Sequence, residues 1–333
     1  MPLCPKCRSR GAVAPLWVAT WDDADHGQGV LECPAKDCDG QFPVIDGLPI
    51  LTPDLPRYLA EVGVYLLARD DLSAPVADLL GTLTPPGAWF DASRQHLSGY
   101  VRDHWGAFDP TDTEDPPPGQ AWSLAEAGLA LIGDVSGPVV ELGAAAGGVT
   151  RALAERFGTS VLGLDLSAPM MRFAARALRG GTLRYPLRLS GTAYLERRVS
   201  IPAPVRGKAE VWLADALVPP VAEGCAGLVV ALNLLDCVAD PAALMRAAAG
   251  LLRPGGHLLL CTPRDWNTSA TPAEAWVAAR APDLAMADLT AWAERVSELR
   301  VVGHSEDRGW QVRVHARATM HYRSDLLVLR RPD

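Results

Sequence analysis

The 333-residue sequence predicts an α/β fold, a mostly parallel sheet with crossover helices, preceded by a small cysteine-bearing domain. Three observations carry this. Four of the seven cysteines fall before residue 40, in two short pairs. A turn of small residues, Gly143-Ala144-Ala145-Ala146-Gly147-Gly148, separates an apolar strand-like run from a helix-like one. From residue 121 to 333, strand-like runs alternate with helix-like segments, as in sheets whose parallel strands are joined by helices.

Composition bounds the answer. A hydrophobic fraction of 49% with 21% charged residues is ordinary for a globular protein with a sizeable core. The apolar runs are strand-sized, so no membrane span is expected. The start, Met1-Pro2-Leu3-Cys4, lacks a basic region followed by an apolar stretch, so a cytoplasmic location is expected. The net charge of −8 weighs against a general grip on phosphate backbones. The local exception is residues 172–208, with Arg172, Arg176, Arg179, Arg184, Arg188, Arg197, Arg198, Arg206 and Lys208 against Glu196. Such a stretch is ordinarily a solvated face; the alternative is a contact to a substrate carboxylate or phosphate. Cysteines in a reducing compartment point to metal or free thiols. Cys225, Cys237 and Cys261 lie in or beside apolar runs and read as buried, inert thiols.

Three regions follow in order. Residues 1–55 are turn-rich. Their Cys4-Pro5-Lys6-Cys7 and Cys33-Pro34-Ala35-Lys36-Asp37-Cys38 form two knuckles with a hairpin-length spacer. Short turns let one loop supply two thiolates, so Cys4, Cys7, Cys33 and Cys38 are the expected ligands of a tetrahedral structural zinc. Four thiolates against one Zn2+ add about −2 to the charge. With the run Gln41-Phe42-Pro43-Val44-Ile45-Asp46-Gly47-Leu48-Pro49-Ile50-Leu51, this region resembles the small zinc-ribbon protein that activates several RNA and protein methyltransferases. The resemblance implies a zinc ribbon, here fused in cis, as scaffold, dimer contact or substrate platform. The ribbon is acidic, with four Lys and Arg against eight Asp and Glu up to Asp54.

Residues 56–120 predict a helical linker or cap. Apolar helix-like periodicity runs over 58–67 and again over 75–83. An aromatic stretch with Trp89, Tyr100, His104 and Trp105 follows as a candidate lid, and the proline-rich loop 109–119 closes the region.

Residues 121–333 hold the most informative motif. The strand Val139-Val140-Glu141-Leu142 runs into the small-residue turn, whose glycines permit positive φ and close approach of a ligand. The spacing is Gly-x-x-x-Gly after an acidic residue, which does not match the dinucleotide fingerprint. The next strand ends in Asp165, at about the 20-residue distance expected of a ribose-binding carboxylate. The bland alternative is that Asp165 only caps the helix behind it, where Ser167 is the other candidate cap. A strand over 209–214 ends in Asp215, and one over 226–232 in Asn233. A helix over 241–252 is stopped by Arg253-Pro254-Gly255-Gly256.

Residues 137–262 thereby resemble class I S-adenosylmethionine (SAM)-dependent methyltransferases. The resemblance implies a Rossmann-like sheet of seven strands, mostly parallel, with an antiparallel C-terminal hairpin and SAM as cofactor. It implies cofactor contacts at Glu141, Gly143, Ala145, Gly147, Asp165, Leu166, Asp215, Ala216 and Asn233, with Asp215 facing the adenine amino group.

The loop Asn233-Leu234-Leu235-Asp236, the run Cys261-Thr262-Pro263-Arg264-Asp265-Trp266-Asn267 and Thr271-Pro272-Ala273-Glu274-Ala275-Trp276 narrow this further. They resemble the methyltransferase domain of ovothiol synthases, which methylates an imidazole nitrogen of a thiol-bearing histidine. Arg264 stands where that family has tyrosine, the glycines after the Trp276 run are missing, and no iron-binding synthase region is present. The expected substrate residues are Tyr100, Arg264, Trp266, Tyr322 and Arg323, and the expected catalytic residues are Asn233, Asp236 and His104, the last as general base.

Three functions stay open. The first is N-methylation of a small molecule, such as an imidazole-bearing amino acid or natural-product intermediate. The second is an rRNA or tRNA methyltransferase, which the basic stretch favours and the overall acidity opposes. The third is a non-catalytic SAM-binding partner protein. A homodimer is compatible with each.

Overall fold

The computed structural model describes residues 2–22, 28–45, 47–54, 58, 89–204, 207–277 and 286–333. The helices expected over 59–67 and 75–83 lie outside these residues, as do Asp46 and Arg206.

The ribbon opens with one turn, α1 (Pro5–Arg8), then an antiparallel meander of β1 (Trp17–Asp22), β2 (Gln28–Glu32), β3 (Gln41–Ile45) and β4 (Leu48–Leu51). Helices α2 (Trp89–Trp105) and α3 (Gln120–Leu129) lead into β5 (Val139–Leu142), α4 (Gly148–Phe157), β6 (Ser160–Asp165) and α5 (Ala168–Ala177). A hairpin of β7 (Gly181–Ser190) and β8 (Ala193–Ile201) precedes β9 (Lys208–Ala214) and β10 (Ala226–Leu232). The chain ends with α6 (Pro241–Leu251), β11 (Leu252–Thr262), α7 (Met286–Ser297), β12 (Arg300–His315) and β13 (Ala318–Arg330).

Local chemistry explains several boundaries. Asp240 caps α6 by accepting the Ala243 N–H at 2.9 Å, and Pro241 supplies the fixed φ of a first helical residue. Ser167 occupies the N-cap of α5, but its hydroxyl caps nothing. Strands β5 and β10 are buried almost throughout, which is why they read as continuous apolar runs.

The main sheet runs β1-β2-β3-β4-β9-β6-β5-β10-β11-β13-β12. From β9 to β12 it is the expected seven-stranded sheet, parallel except for β13, which runs antiparallel to both β11 and β12. The unexpected feature is at the other edge. Strand β4 pairs in parallel with β9, Ile50 opposite Leu213 and Leu51 opposite Ala214, so the ribbon strands continue the sheet. One buried apolar cluster accordingly runs from Leu16 and Phe42 in the ribbon to Leu258 and Leu329.

The middle of the basic segment folds as the β7–β8 hairpin, a separate two-stranded sheet, with Tyr185, Leu187, Val199 and Ile201 turned into the core beside Val101 and Trp105 of α2; Arg172 and Arg176 lie on α5 and Lys208 opens β9. Its period-2 burial is strand-like, whereas the arginines alone read as an undifferentiated charge run. No described helix is long and apolar enough to cross a membrane.

Candidate functional site

The carboxyl ends of β5, β6, β9, β10 and β11 meet at one rim of the sheet, where open α/β sheets take their ligands. Gly143 and Gly147 both have φ of 79°, and Ala145 between them has φ of 44°. A Cβ on Gly148 would come within 2.6 Å of His104 Cβ, so only glycine fits where α2 crosses the start of α4. Trp105, fully buried, donates from Nε1 to the Ala146 carbonyl at 2.7 Å. It therefore anchors the turn from below and is not part of a lid.

Asp165 accepts the Ala145 N–H at 2.9 Å and the Ser167 N–H at 2.8 Å, one on each carboxylate oxygen. The Ser167 bond closes an Asx turn just ahead of α5 and reaches none of that helix's first-turn N–H groups, so Asp165 does not cap the helix. The Leu166 N–H also favours the anion, and a carboxylate has about four acceptor positions, so acceptor capacity remains for a ligand. Asp215 accepts the Leu217 N–H at 2.8 Å with one oxygen. Burial raises the pKa of both acids. Leu166 is exposed beside Asp165, and its carbonyl accepts the Tyr58 hydroxyl at 2.6 Å. Ala216 is buried behind Asp215.

Asn233, at the end of β10, has φ of 49° and donates its N–H to the Cys261 carbonyl at 2.7 Å. Its Oδ1 is buried and has no hydrogen-bond partner among the described residues. An orphaned acceptor of this kind is costly unless a ligand donor meets it. Glu141 lies deeper, 2% exposed, with its carboxylate accepting the Thr150 hydroxyl. Burial pushes its pKa to about 8, partly offset by Thr150.

Several expected substrate and catalytic residues have other employment. Asp236 is 1% exposed and accepts the Thr262 hydroxyl at 3.3 Å and the Asp265 N–H at 2.6 Å, so it shapes the loop from beneath. The Arg264 guanidinium is paired with Asp325, and its charge is neutralised there. Arg323 is 78% exposed, 3.7 Å from Asp307. Residues alternate faces along β13, so with Tyr322 turned inward Arg323 must turn outward. His104 accepts the Gly148 N–H on Nδ1 at 2.9 Å. A neutral imidazole bonded this way carries its proton on Nε2 and has no free base nitrogen. Trp266 packs against the core, its Nε1 without an acceptor among the described residues. Cys261 is buried as expected, but Cys237 is exposed.

What the rim gathers instead is aromatic. Trp310 stacks on Tyr322 at 5.0 Å between centroids, and Tyr100 lies 6.4 Å from Trp310 and 6.4 Å from His104. Burial raises the Tyr100 pKa well above its usual range, with Tyr322 and Asp165 adding to the effect. Burial, then Asp265, raises that of Tyr322. Trp310 and Asp265 were not singled out from the sequence. The only signal for Trp310 was its place in a strand-like segment near Tyr322.

In the ribbon, the Cys4 and Cys38 sulfurs are 3.7 Å apart, as are those of Cys7 and Cys33, and all four lie within 4.8 Å of one another. Tetrahedral zinc with Zn–S bonds of about 2.3 Å sets its ligand sulfurs about 3.8 Å apart, so the cluster can hold that ion. The ribbon also meets the catalytic unit through the Leu3 N–H bond to the Pro220 carbonyl and the Arg8–Glu223 pair.

A Rossmann-like sheet with a small-residue turn and two strand-end carboxylates defines an α/β enzyme that takes a nucleoside-bearing ligand. More particularly, the family described as methyltransferase domain matches residues 121–304, over half of the chain, and the chain belongs to that family. It is an enzyme with the class I, SAM-dependent methyltransferase fold. No curated protein matches the sequence. Among solved structures, a SAM-dependent methyltransferase from Methanosarcina mazei is similar at 16% identity, covering 61% of this chain and 96% of that one, with a TM-score of 0.44. The N-methyltransferase NodS from Bradyrhizobium japonicum is similar at 19% identity, 64% and 95% coverage and a TM-score of 0.39. A chain of the complex between the Haloferax volcanii Trm112 methyltransferase activator and a methyltransferase is similar at 17% identity, 64% and 90% coverage and a TM-score of 0.40. These likenesses concern the fold alone.

Proposed function

We propose that the protein methylates a nitrogen of a small molecule, with an imidazole-bearing amino acid or natural-product intermediate as the first class to try. The nitrogen target rests on the resemblance to the mercaptohistidine methyltransferase domain, with Arg264 its main departure.

Bound SAM supplies an electrophilic sulfonium methyl. The residues at the rim suit such a ligand. Asp165 would offer its remaining acceptor capacity to the ribose hydroxyls, and Asp215 would accept from the adenine amino group. Asn233 Oδ1, buried without a partner among the described residues, would accept from the ammonium of the methionine part, and the glycines of the turn from Gly143 to Gly147 would let the ligand lie against the backbone. Glu141, Asp236 and His104 act as positioning residues beneath these contacts. Zinc at the four cysteines is structural: it holds the ribbon whose β4 completes the sheet edge.

One observation carries the small-molecule reading over the RNA one. The two arginines at the centre of the basic segment are engaged within the protein. Arg197 pairs with Asp109 at 2.6 Å and Arg188 with Gln95 at 2.9 Å and the Gly191 carbonyl at 2.8 Å, while the more exposed Arg184 and Arg198 share the single carboxylate of Glu196. Such residues are poorly placed to release counterions from a phosphate backbone.

The test is S-adenosylhomocysteine release with two substrate pools, imidazole-bearing small molecules and total RNA. Turnover with the first supports the proposal. Turnover only with RNA overturns it.

A further inference from the structure

The sequence offers two arginines for the substrate, which would suit a carboxylate. The structure removes both. Arg264 is neutralised by Asp325, and Arg323 faces solvent on the other side of β13. His104 is held neutral by its bond to Gly148. What remains is an aromatic cluster in which the buried Trp310 backs the partly buried Tyr100 and Tyr322, with the exposed carboxylate of Asp265 facing the Tyr322 hydroxyl.

Two further details bear on a ligand at this cluster. Trp310 is only 6% exposed, yet its Nε1–H has no acceptor among the described residues. Asp265 is held in place through its backbone, whose N–H is bonded to the Asp236 carboxylate at 2.6 Å, so its own carboxylate is presented by a fixed loop. Aromatic faces beside a fixed anion attract cations and repel carboxylates.

We propose that the acceptor is a cationic nitrogen compound, a planar or aromatic amine, held on the cluster of Tyr100, Trp310 and Tyr322 with Asp265 as its counter-charge. The inference rests on reading this rim as the site of methyl transfer, and narrows its substrate class. The electron balance fits the cluster's chemistry. A protonated amine first gives one proton to water, and its lone pair then forms the new N–C bond. The S–C electron pair stays on sulfur, and the methylated nitrogen is cationic once more. The same cluster thus suits the charged forms on both sides of the step.

The experiment is calorimetry on the full zinc-loaded chain, with and without S-adenosylhomocysteine. The probes are three pairs sharing a ring but differing in arm charge: histamine and imidazoleacetate, tryptamine and indoleacetate, benzylamine and phenylacetate. The expected result is that at least one amine binds about tenfold or more tighter than its acid, and that Asp265→Asn removes the preference while leaving the melting temperature in place. Tyr322→Phe, which keeps the ring, should retain most of the amine affinity. Acids binding as well as amines, no member of any pair binding, or an Asp265→Asn protein that keeps the preference would each overturn the proposal. S-adenosylhomocysteine binding without amine preference sinks the substrate class alone. Failure of S-adenosylhomocysteine to bind sinks the methyl-transfer reading instead.

Discussion

His104 Nδ1 accepts the backbone N–H of Gly148 across 2.9 Å, at the first turn of α4. The preceding residue does the same for another helix: Asp103 accepts the N–H groups of Gly119, Gln120 and Ala121 at the start of α3. The last turn of α2 therefore caps two helices, one of which begins at the small-residue turn. Protonating His104 would turn an acceptor into a donor and set a cation against the positive end of α4.

A pH dependence follows. Burial lowers the His104 pKa, against a smaller opposing effect of Asp103. The folded value is below the unfolded value of about 6.5, so the stabilisation is fully present above that pH and is lost as pH falls toward the folded pKa. The slope contributed is at most about 1.4 kcal/mol per pH unit. His104→Gln, which can still accept from Gly148 but does not titrate, should flatten urea stability between about pH 5 and 7 relative to wild type. Parallel curves for the two proteins would reject the role.

Glu141 gives the opposite sign. Its folded pKa is raised to about 8, so its contribution is full below the ordinary carboxylate range and declines as pH rises toward 8. Glu141→Gln mimics the neutral acid. It should gain stability over wild type as pH rises through that window, and keep SAM affinity because the carboxylate is buried and already bonded to Thr150. A large loss of SAM binding at unchanged stability would restore Glu141 to direct contact with the cofactor.

The loop that closes the capping region is held by a buried pair. Arg102 meets Asp112 at 2.7 and 2.8 Å and also donates to the carbonyls of Pro116 and Glu114. The two side chains are 3% and 2% exposed, so Arg102→Ala leaves a charge buried and should cost about 3–5 kcal/mol in denaturant unfolding. A cost below about 1 kcal/mol would place this pair with ordinary surface bridges.

Cys4→Ser should release zinc, measured as metal per chain by elemental analysis, and lower the melting temperature of the whole protein. The coupling is expected because β4 is hydrogen-bonded to β9 at the edge of the catalytic sheet. Retention of one zinc per chain would contradict a four-cysteine site.

Local pattern revealed the seven-stranded sheet because strand runs, the small-residue turn and the Pro-Gly-Gly stop are short-range signals. The joining of β4 to β9 was not legible: residues 48–51 and 208–214 carry no mark of their mutual parallel pairing. The site divides in the same way. The Cys4, Cys7, Cys33 and Cys38 cluster and the strand-end positions of Asp165, Asp215 and Asn233 follow from spacing. The roles of His104, Arg264 and Arg323 depend on partners or faces that spacing does not encode. Gly148 is 44 residues from His104, Asp325 is 61 from Arg264, and the face Arg323 takes is set by strand register.

The most direct test of the central claim is a calorimetric titration of SAM into wild type and Asp165→Ala. One site per chain is predicted, with affinity lowered in the variant by about 2–3 kcal/mol, or about 30- to 150-fold. Absence of binding to wild type, or equal affinity in both proteins, would contradict the account of this rim as the cofactor site.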